Sequence, residues 1–262
     1  MTDTLLAVDI GNTNIHLGLW RQNTWQLSWR ARTVSDKTAD EYGVLVRNFL
    51  SSADIGYNAI TGVVISSVVP VLTPVFDELV KRYFHFDPLI VNSQTNIGIK
   101  IDVDYPEQAG SDRYVNAAAV VALYGGGPAI VIDFGTSTNF DIVSADNNYI
   151  GGAIAPGIGV AHDALVNRAA RLHKIDLVPP PDAIGRNTIH AMQSGIFLGY
   201  VGLIEGLTKR IKASLNAPEV KVIATGGLAV LFNQHTDIFD LIVSELTLDG
   251  LRVIYDLNHP TK

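Results

Sequence analysis

Three short stretches hold side chains that could do chemistry together. Asp9-Ile10-Gly11-Asn12-Thr13-Asn14-Ile15-His16 sets a carboxylate, a glycine and several amide and hydroxyl groups where one apolar run ends and another begins. Asp133-Phe134-Gly135-Thr136-Ser137-Thr138-Asn139 repeats that arrangement in the second half. An apolar run that ends in Asp and is followed by glycine and small polar residues brings backbone N–H groups and a carboxylate to one point. Such a point suits a metal-bound phosphate, although the same residues also make ordinary hairpin turns. The third stretch, Gly110-Ser111-Asp112-Arg113, precedes an apolar helical run. It offers a base beside an anion-binding fork, with Gly110 granting access. Ser111 or Asp112 serves equally as the cap of that helix.

The two hairpins belong to similar series of elements. In the first half, residues 5–19 read as two strands, and the alternation of Trp25, Leu27, Trp29 and Ala31 with polar residues predicts a third. Thr38-Ala39-Asp40-Glu41 has capping-box chemistry, with Leu45, Val46, Phe49 and Leu50 behind it at helical spacing. A buried strand at 62–69, a proline-opened helix at 70–84 and a short strand at 88–91 follow. From 129 the pattern restarts: a hairpin at 129–143, a strand at 149–155, a helix at 158–172, a long helix at 188–215, a strand at 220–225 and a last helix at 248–257. The order predicts a duplicated α/β fold with domains 1–114 and 115–262. Hairpins facing each other across an interdomain cleft would receive a nucleotide with its metal.

Composition narrows the classes of function. The chain has 262 residues, 47% of them hydrophobic and 17% charged, a packed globular composition rather than a disordered one. Net charge is −7, and no run of Lys and Arg exceeds two residues, which argues against nucleic acid or an anionic membrane as partner. The absence of cysteine removes thiolate catalysis and Cys-ligated zinc, and fits a reducing, cytoplasmic location. No apolar run is long enough for a membrane span, and the first residues carry no basic side chain of a signal peptide. His16, His85 and His173 lack metal-ligand spacing. Gly226-Gly227 closes a strand either as a plain turn or as a place of close approach to a ligand. Gly195, Gly199, Gly202 and Gly206 share one face of a helix, at a cost of about 1 kcal/mol each. A second helix must offset that cost, either within the chain or across a two-fold axis.

Taken in order, eight blocks resemble the type III pantothenate kinases, of the actin-like ATPase and sugar-kinase superfamily: Asp9-Ile10-Gly11-Asn12-Thr13, Thr38-Ala39-Asp40-Glu41-Tyr42, Ile65-Ser66-Ser67-Val68-Val69-Pro70, Gly110-Ser111-Asp112-Arg113, Asp133-Phe134-Gly135-Thr136, Gly151-Gly152-Ala153-Ile154-Ala155-Pro156-Gly157, Ile184-Gly185-Arg186-Asn187-Thr188 and Ala224-Thr225-Gly226-Gly227. The resemblance covers nearly the whole chain. It implies a duplicated actin-like (ribonuclease H-like) fold of β-β-β-α-β-α-β domains and transfer of the ATP γ-phosphate to pantothenate, giving 4′-phosphopantothenate for coenzyme A.

Carried over residue by residue, the resemblance makes Asp112 the proton acceptor and has Gly110, Ser111, Asp112 and Arg113 hold the substrate. Asp9, Ile10, Gly11, Asn12, Thr13, Asn14, Ile15 and His16 would line the ATP phosphates, and Thr136 would contact ATP. Asp133 would bind the monovalent cation, K⁺ or NH₄⁺, beside the Mg²⁺ of ATP. Thr188 would reach pantothenate from the partner subunit of a homodimer. Hard carboxylate oxygens suit both kinds of cation. The family often has tyrosine where this chain has Val103, with Tyr105 two places later, so no tyrosine contact is carried over. Ser111 replaces the commoner alanine, a change expected to matter little. Two rival readings are a non-catalytic Bvg accessory factor-like regulator and an actin-like kinase for another small acceptor.

Overall fold

The computed structural model describes residues 4–217 and 219–260. In chain order the strands and helices are β1 (Thr4–Ile10), β2 (Asn14–Arg21), β3 (Thr24–Arg32), α1 (Ala39–Ser51), β4 (Gly62–Ser67), α2 (Thr73–Phe84), β5 (Leu89–Ile90) and α3 (Ser111–Leu123). There follow β6 (Ala129–Phe134), β7 (Ser137–Val143), β8 (Tyr149–Pro156), α4 (Ile158–Arg168), α5 (Thr188–Gln193), α6 (Gly199–Leu215), β9 (Lys221–Gly226), α7 (Ala229–Asn233), β10 (Leu241–Ile242) and α8 (Leu246–Asn258). The five-stranded sheets run β3-β2-β1-β4-β5 and β8-β7-β6-β9-β10. In each, an antiparallel meander is followed by parallel strands, so the second sheet repeats the first strand for strand. The duplicated actin-like α/β arrangement expected from the sequence is the arrangement found.

The division into two compact units differs from the expected one. Met1–Gly125 joins Leu246–Lys262 as one unit, and Gly126–Glu245 forms the other, in place of 1–114 and 115–262. Packing of α8 on α3 is the physical reason. Gly250 crosses so close to α3 that a Cβ on it would lie 2.2 Å from the Val115 carbonyl oxygen. Thr247 Oγ1 donates to Asn116 Oδ1 at 2.9 Å. Asp249 accepts from Tyr124 OH at 2.6 Å and from Trp25 Nε1 at 2.8 Å.

Within the first unit, the even-period residues Val8, Ile10, Ile15 and Leu17 pack against Tyr42 and Val46 of α1 and Phe76 and Leu79 of α2. In the second, Ile130, Ile132, Phe140 and Ile142 pack against Phe197, Ile204 and Phe232. The α1 capping box forms as read: Thr38 Oγ1 accepts from Glu41 N and Glu41 Oε2 accepts from Thr38 N. Other boundaries move. A turn closed by Leu72 N donating to Val69 O delays α2 to Thr73, so Pro74 rather than Pro70 lies in its first turn. α4 ends at Arg168 rather than 172, and Ile175 N, donating to the buried His162 Nε2 at 3.3 Å, turns the chain back along it. A π-helical turn, Ser194–Leu198, interrupts the long helix between α5 and α6. Among the described residues no helix is long and apolar enough to cross a membrane.

Candidate active site

The first hairpin is held open and polar by its own backbone. Gly11 N donates to Asn14 O at 3.0 Å, and Thr33 fixes the turn from β3, donating from Oγ1 to Gly11 O at 2.6 Å and from N to Thr13 O at 2.9 Å. Asn12, Thr13 and Asn14 are exposed. Ile10 and Ile15, included in the expected phosphate-lining run, are 0% and 1% exposed and belong to the core. Only their backbones can serve a ligand.

Asp9 pairs in register with His16 on β2 and with Ser66 on β4. These three therefore stand side by side where the parallel strands β1 and β4 end, which is where open α/β sheets bind ligands. Burial, and behind it the charge of Arg30, pulls the His16 imidazole down to about 4, so it is neutral at physiological pH.

The third stretch reaches the same place from another element. The N-cap of α3 is Gly110, not Ser111 or Asp112, and it makes no side-chain cap bond. Ser111 is 5% exposed and turned into the protein. Its hydroxyl lies 2.9 Å from Ser66 Oγ, accepts from Ser67 N at 3.1 Å and donates to Ser67 O at 3.2 Å. Asp112 follows, half-buried, with Oδ1 accepting from Arg113 N at 2.9 Å. Removal of water from its carboxylate pushes the pKa up, against the pull of the Arg113 N–H bond and charge. A Cβ on Gly110 would lie 2.5 Å from Asp112 Oδ1 and 3.1 Å from Val68 Cγ1. The missing side chain is what admits the carboxylate there. Asp9, Ser66 and the 110–113 segment are thus gathered on one unit.

The second hairpin is built by the same means. Gly135 N donates to Ser137 O at 2.9 Å, and Gly157 N donates to Thr136 O at 3.0 Å. A Cβ on Gly157 would lie 2.4 Å from Thr136 O. Asp133 pairs in register with Thr225, as Asp9 does with Ser66, and the next pair is Phe134 with Gly226. Gly226 has φ +87°, and a Cβ there would lie 2.5 Å from Phe134 O and 2.8 Å from Asp133 Oδ1. Phe134 N lies 2.7 Å from the same point, so Gly226 packs directly on the backbone of β6. The positive φ and the nearness of β6 of the same chain are what a tight turn after β9 requires, and they account for glycine at 226 without a ligand.

Thr188 opens α5, exposed, behind the N-cap Asn187, whose side chain accepts from His190 N at 2.9 Å. It borders a cavity of about 600 Å³ lined by Leu165, Arg186, Met192 and Ile196 among others. Apart from their own helix, no described residue comes within 4 Å of where a Cβ on Gly195, Gly199 or Gly202 would stand. The sequence reading gives Ser66, Ser67 and Gly157 no role of their own, although they lie in the blocks that carry the resemblance. Their signal was present, as polar or glycine residues directly after buried strands, but it names no partner.

The family model described as type III pantothenate kinase matches residues 5–210. The type III pantothenate kinase of Roseiflexus sp. (strain RS-1) is 48% identical over 254 residues, covering 97% of this chain and 99% of the relative. That of Moorella thermoacetica (strain ATCC 39073 / JCM 9320) is 45% identical over 254 residues, with the same coverage of 97% and 99%. Among solved structures, a conserved Baf family protein of Campylobacter jejuni superposes with TM-score 0.61 at 19% identity, covering 98% of this chain and 100% of that one. The ethanolamine utilization protein EutJ of Carboxydothermus hydrogenoformans gives TM-score 0.56 at 11% identity, covering 95% and 89%. Both likenesses concern the fold.

Proposed function

The chain belongs to the type III pantothenate kinase family, and on that premise we propose how its own residues divide the work. It phosphorylates pantothenate with ATP in coenzyme A biosynthesis. Asp112 accepts the proton of the pantothenate hydroxyl as the γ-phosphate is transferred. Phosphoryl transfer asks little covalent help of a protein, so a carboxylate need only be well placed and take the proton late. The upward push on its pKa makes Asp112 a better acceptor than an ordinary solvated carboxylate. Gly110 and Arg113 hold the acceptor substrate, Arg113 through charge-assisted hydrogen bonds. Ser111 belongs to this segment through its backbone, since its hydroxyl is taken up by β4.

The Asp9–His16 hairpin lines the ATP phosphates with its backbone N–H groups and the side chains of Asn12, Thr13 and Asn14, and Thr136 contacts ATP. Among the described residues no group of three or more His, Cys, Asp or Glu side chains is arranged to hold a metal. Cation sites of single carboxylates completed by backbone, phosphate and water oxygens fit this chain. Asp133 would hold K⁺ or NH₄⁺, while Asp9 stands toward Mg²⁺. These ions, when bound, supply positive charge against the phosphate oxygens. Thr188 of the partner subunit would complete the pantothenate site, and the uncovered Gly195, Gly199 and Gly202 support a homodimer joined through that face.

The observation that carries this reading is the junction at which Ser66 bonds Ser111, so that Asp9 and Asp112 are borne by one rigid frame. D112N is expected to abolish phosphorylation of pantothenate while ATP binding persists, and near-normal turnover would refute the base assignment. Replacing K⁺ by Na⁺ should collapse activity; indifference to the exchange would remove Asp133 from its role.

A further inference from the structure

We propose that Ser66 and Ser111 form a positioning clamp that holds the Asp112 carboxylate in register with the Asp9 hairpin. The proposal deepens the reading of Asp112 as proton acceptor and rests on it.

Ser66 is fully buried and Ser111 is 5% exposed. Hydroxyls withdrawn from water this far cost free energy unless they are bonded. A serine hydroxyl has one proton to give and two lone pairs to fill. Ser111 gives its proton to Ser67 O and accepts from Ser67 N. Its remaining lone pair is left for the Ser66 hydroxyl 2.9 Å away, which makes Ser66 the donor of that bond. The capacity of Ser111 is then filled by β4 alone, so it cannot also bind substrate. Nor does the hydroxyl serve its own helix, because α3 is capped at Gly110 without a side-chain bond.

The turn leaving β4 is gripped from its other side as well. Val68 N donates to Ile10 O at 3.0 Å, at the exit of β1 one residue after Asp9. Ser67 Oγ closes the turn on itself, 3.2 Å from both Val69 N and Val69 O. Val68 Cγ1 and Asp112 Oδ1 both crowd the place where a Cβ on Gly110 would stand. A short rigid turn thus joins the end of the phosphate-side strand to the start of the helix that bears the base. An alanine in place of Ser111 leaves the helix intact but loosens its first turn from this frame. Misplacement of a reacting group by about 1 Å can cost up to about 100-fold in rate.

The test compares S66A, S111A, the double variant and D112N, each checked for folding by urea titration. Turnover is measured at saturating ATP and pantothenate, together with KM for ATP. The clamp predicts a kcat at least tenfold lower in S66A and in S111A, with KM for ATP within twofold of the wild type. It also predicts a double variant no worse than the poorer single one, because the two hydroxyls act as a unit. A kcat within twofold of wild type in either single variant, even with a lowered urea midpoint, would mean that the network is merely structural and would overturn the proposal. Multiplying effects in the double variant would overturn it too. D112N separates the two levels of the argument: an active D112N removes the premise, whereas an inactive D112N beside fully active serine variants sinks the clamp alone.

Discussion

Replacing Gly110 by alanine should leave the fold standing and remove most of the activity. Gly110 has φ −58° and ψ 141°, dihedrals that any residue adopts without strain. At such positions Gly→Ala stabilises by about 0.4–1 kcal/mol through the unfolded chain. The added Cβ would lie 2.5 Å from Asp112 Oδ1, and ordinary contact begins near 3.4 Å, so the carboxylate must retreat by about 0.9 Å. It is a terminal side-chain atom and can do so cheaply. The retreat stretches its bond from Arg113 N, now 2.9 Å, so the two effects on stability offset to within about 1 kcal/mol. The rate has no such compensation. A displacement of this size at a proton acceptor corresponds to a loss of roughly 10- to 100-fold in kcat. Urea unfolding would give the first quantity and steady-state kinetics with both substrates saturating the second. A folded G110A with turnover within twofold of wild type would show that the orientation of the Asp112 carboxylate does not limit the reaction.

Three further outcomes follow from the same geometry. G226A forces alanine to φ +87° with its Cβ 2.5 Å from Phe134 O and 2.7 Å from Phe134 N, backbone atoms that cannot step aside. It should cost about 3 kcal/mol or more, read as a lower urea midpoint, and an unshifted midpoint would contradict the close approach. For Asp112, burial raises the folded pKa above the ordinary 3.8, so the folded chain takes up the proton first as pH falls. The charge therefore costs stability fully above the folded pKa, and the cost disappears below about pH 3.8. D112N should accordingly have the higher urea midpoint at pH 7 and lose that advantage in acid; equal midpoints at pH 7 would count against the burial cost. Lastly, the Cβ atoms added by G199L/G202L meet no neighbouring element among the described residues, so this variant should fold normally yet sediment as a smaller species than wild type. Unchanged sedimentation would exclude that face from the proposed homodimer.

Much of the fold was legible because its signals are local. The alternation at 5–19 and 129–143 and the capping box at Thr38 depend only on neighbours in sequence, and each appears where the residues put it. What escaped depends on distant partners. Nothing near Leu246 says that α8 packs across Gly250 on α3, and that return moves the division between units to 125 and 126. Likewise Ser111 reads from sequence as a cap or a neutral replacement for alanine. Its value comes from Ser66 and Ser67, more than forty residues earlier in the chain. Polar type and glycine content mark the candidate site, but pairing alone distinguishes a substrate contact from a scaffold bond.

The repeated sheet makes this distinction sharper, because equivalent positions carry different residues. Asp9 and Asp133 occupy the same place on β1 and β6, and register pairs them with Ser66 on β4 and Thr225 on β9. One residue on, the partners are Ser67 in the first unit and Gly226 in the second. In the first unit the backbone of that residue meets the Ser111 hydroxyl and anchors a helix that carries a second carboxylate, Asp112. In the second, a side chain is forbidden, because a Cβ would strike Phe134 O and Asp133 Oδ1. The clamp of the first unit uses the backbone of Ser67 rather than its side chain, so glycine at 226 does not by itself bar such a bond; what sets the second unit apart is that Gly226 lies against Phe134 and Asp133 too closely for any side chain. The two frames thus differ at one register position: serine in the first unit bonds its own turn at Val69, and glycine in the second admits the close approach of β9 to β6.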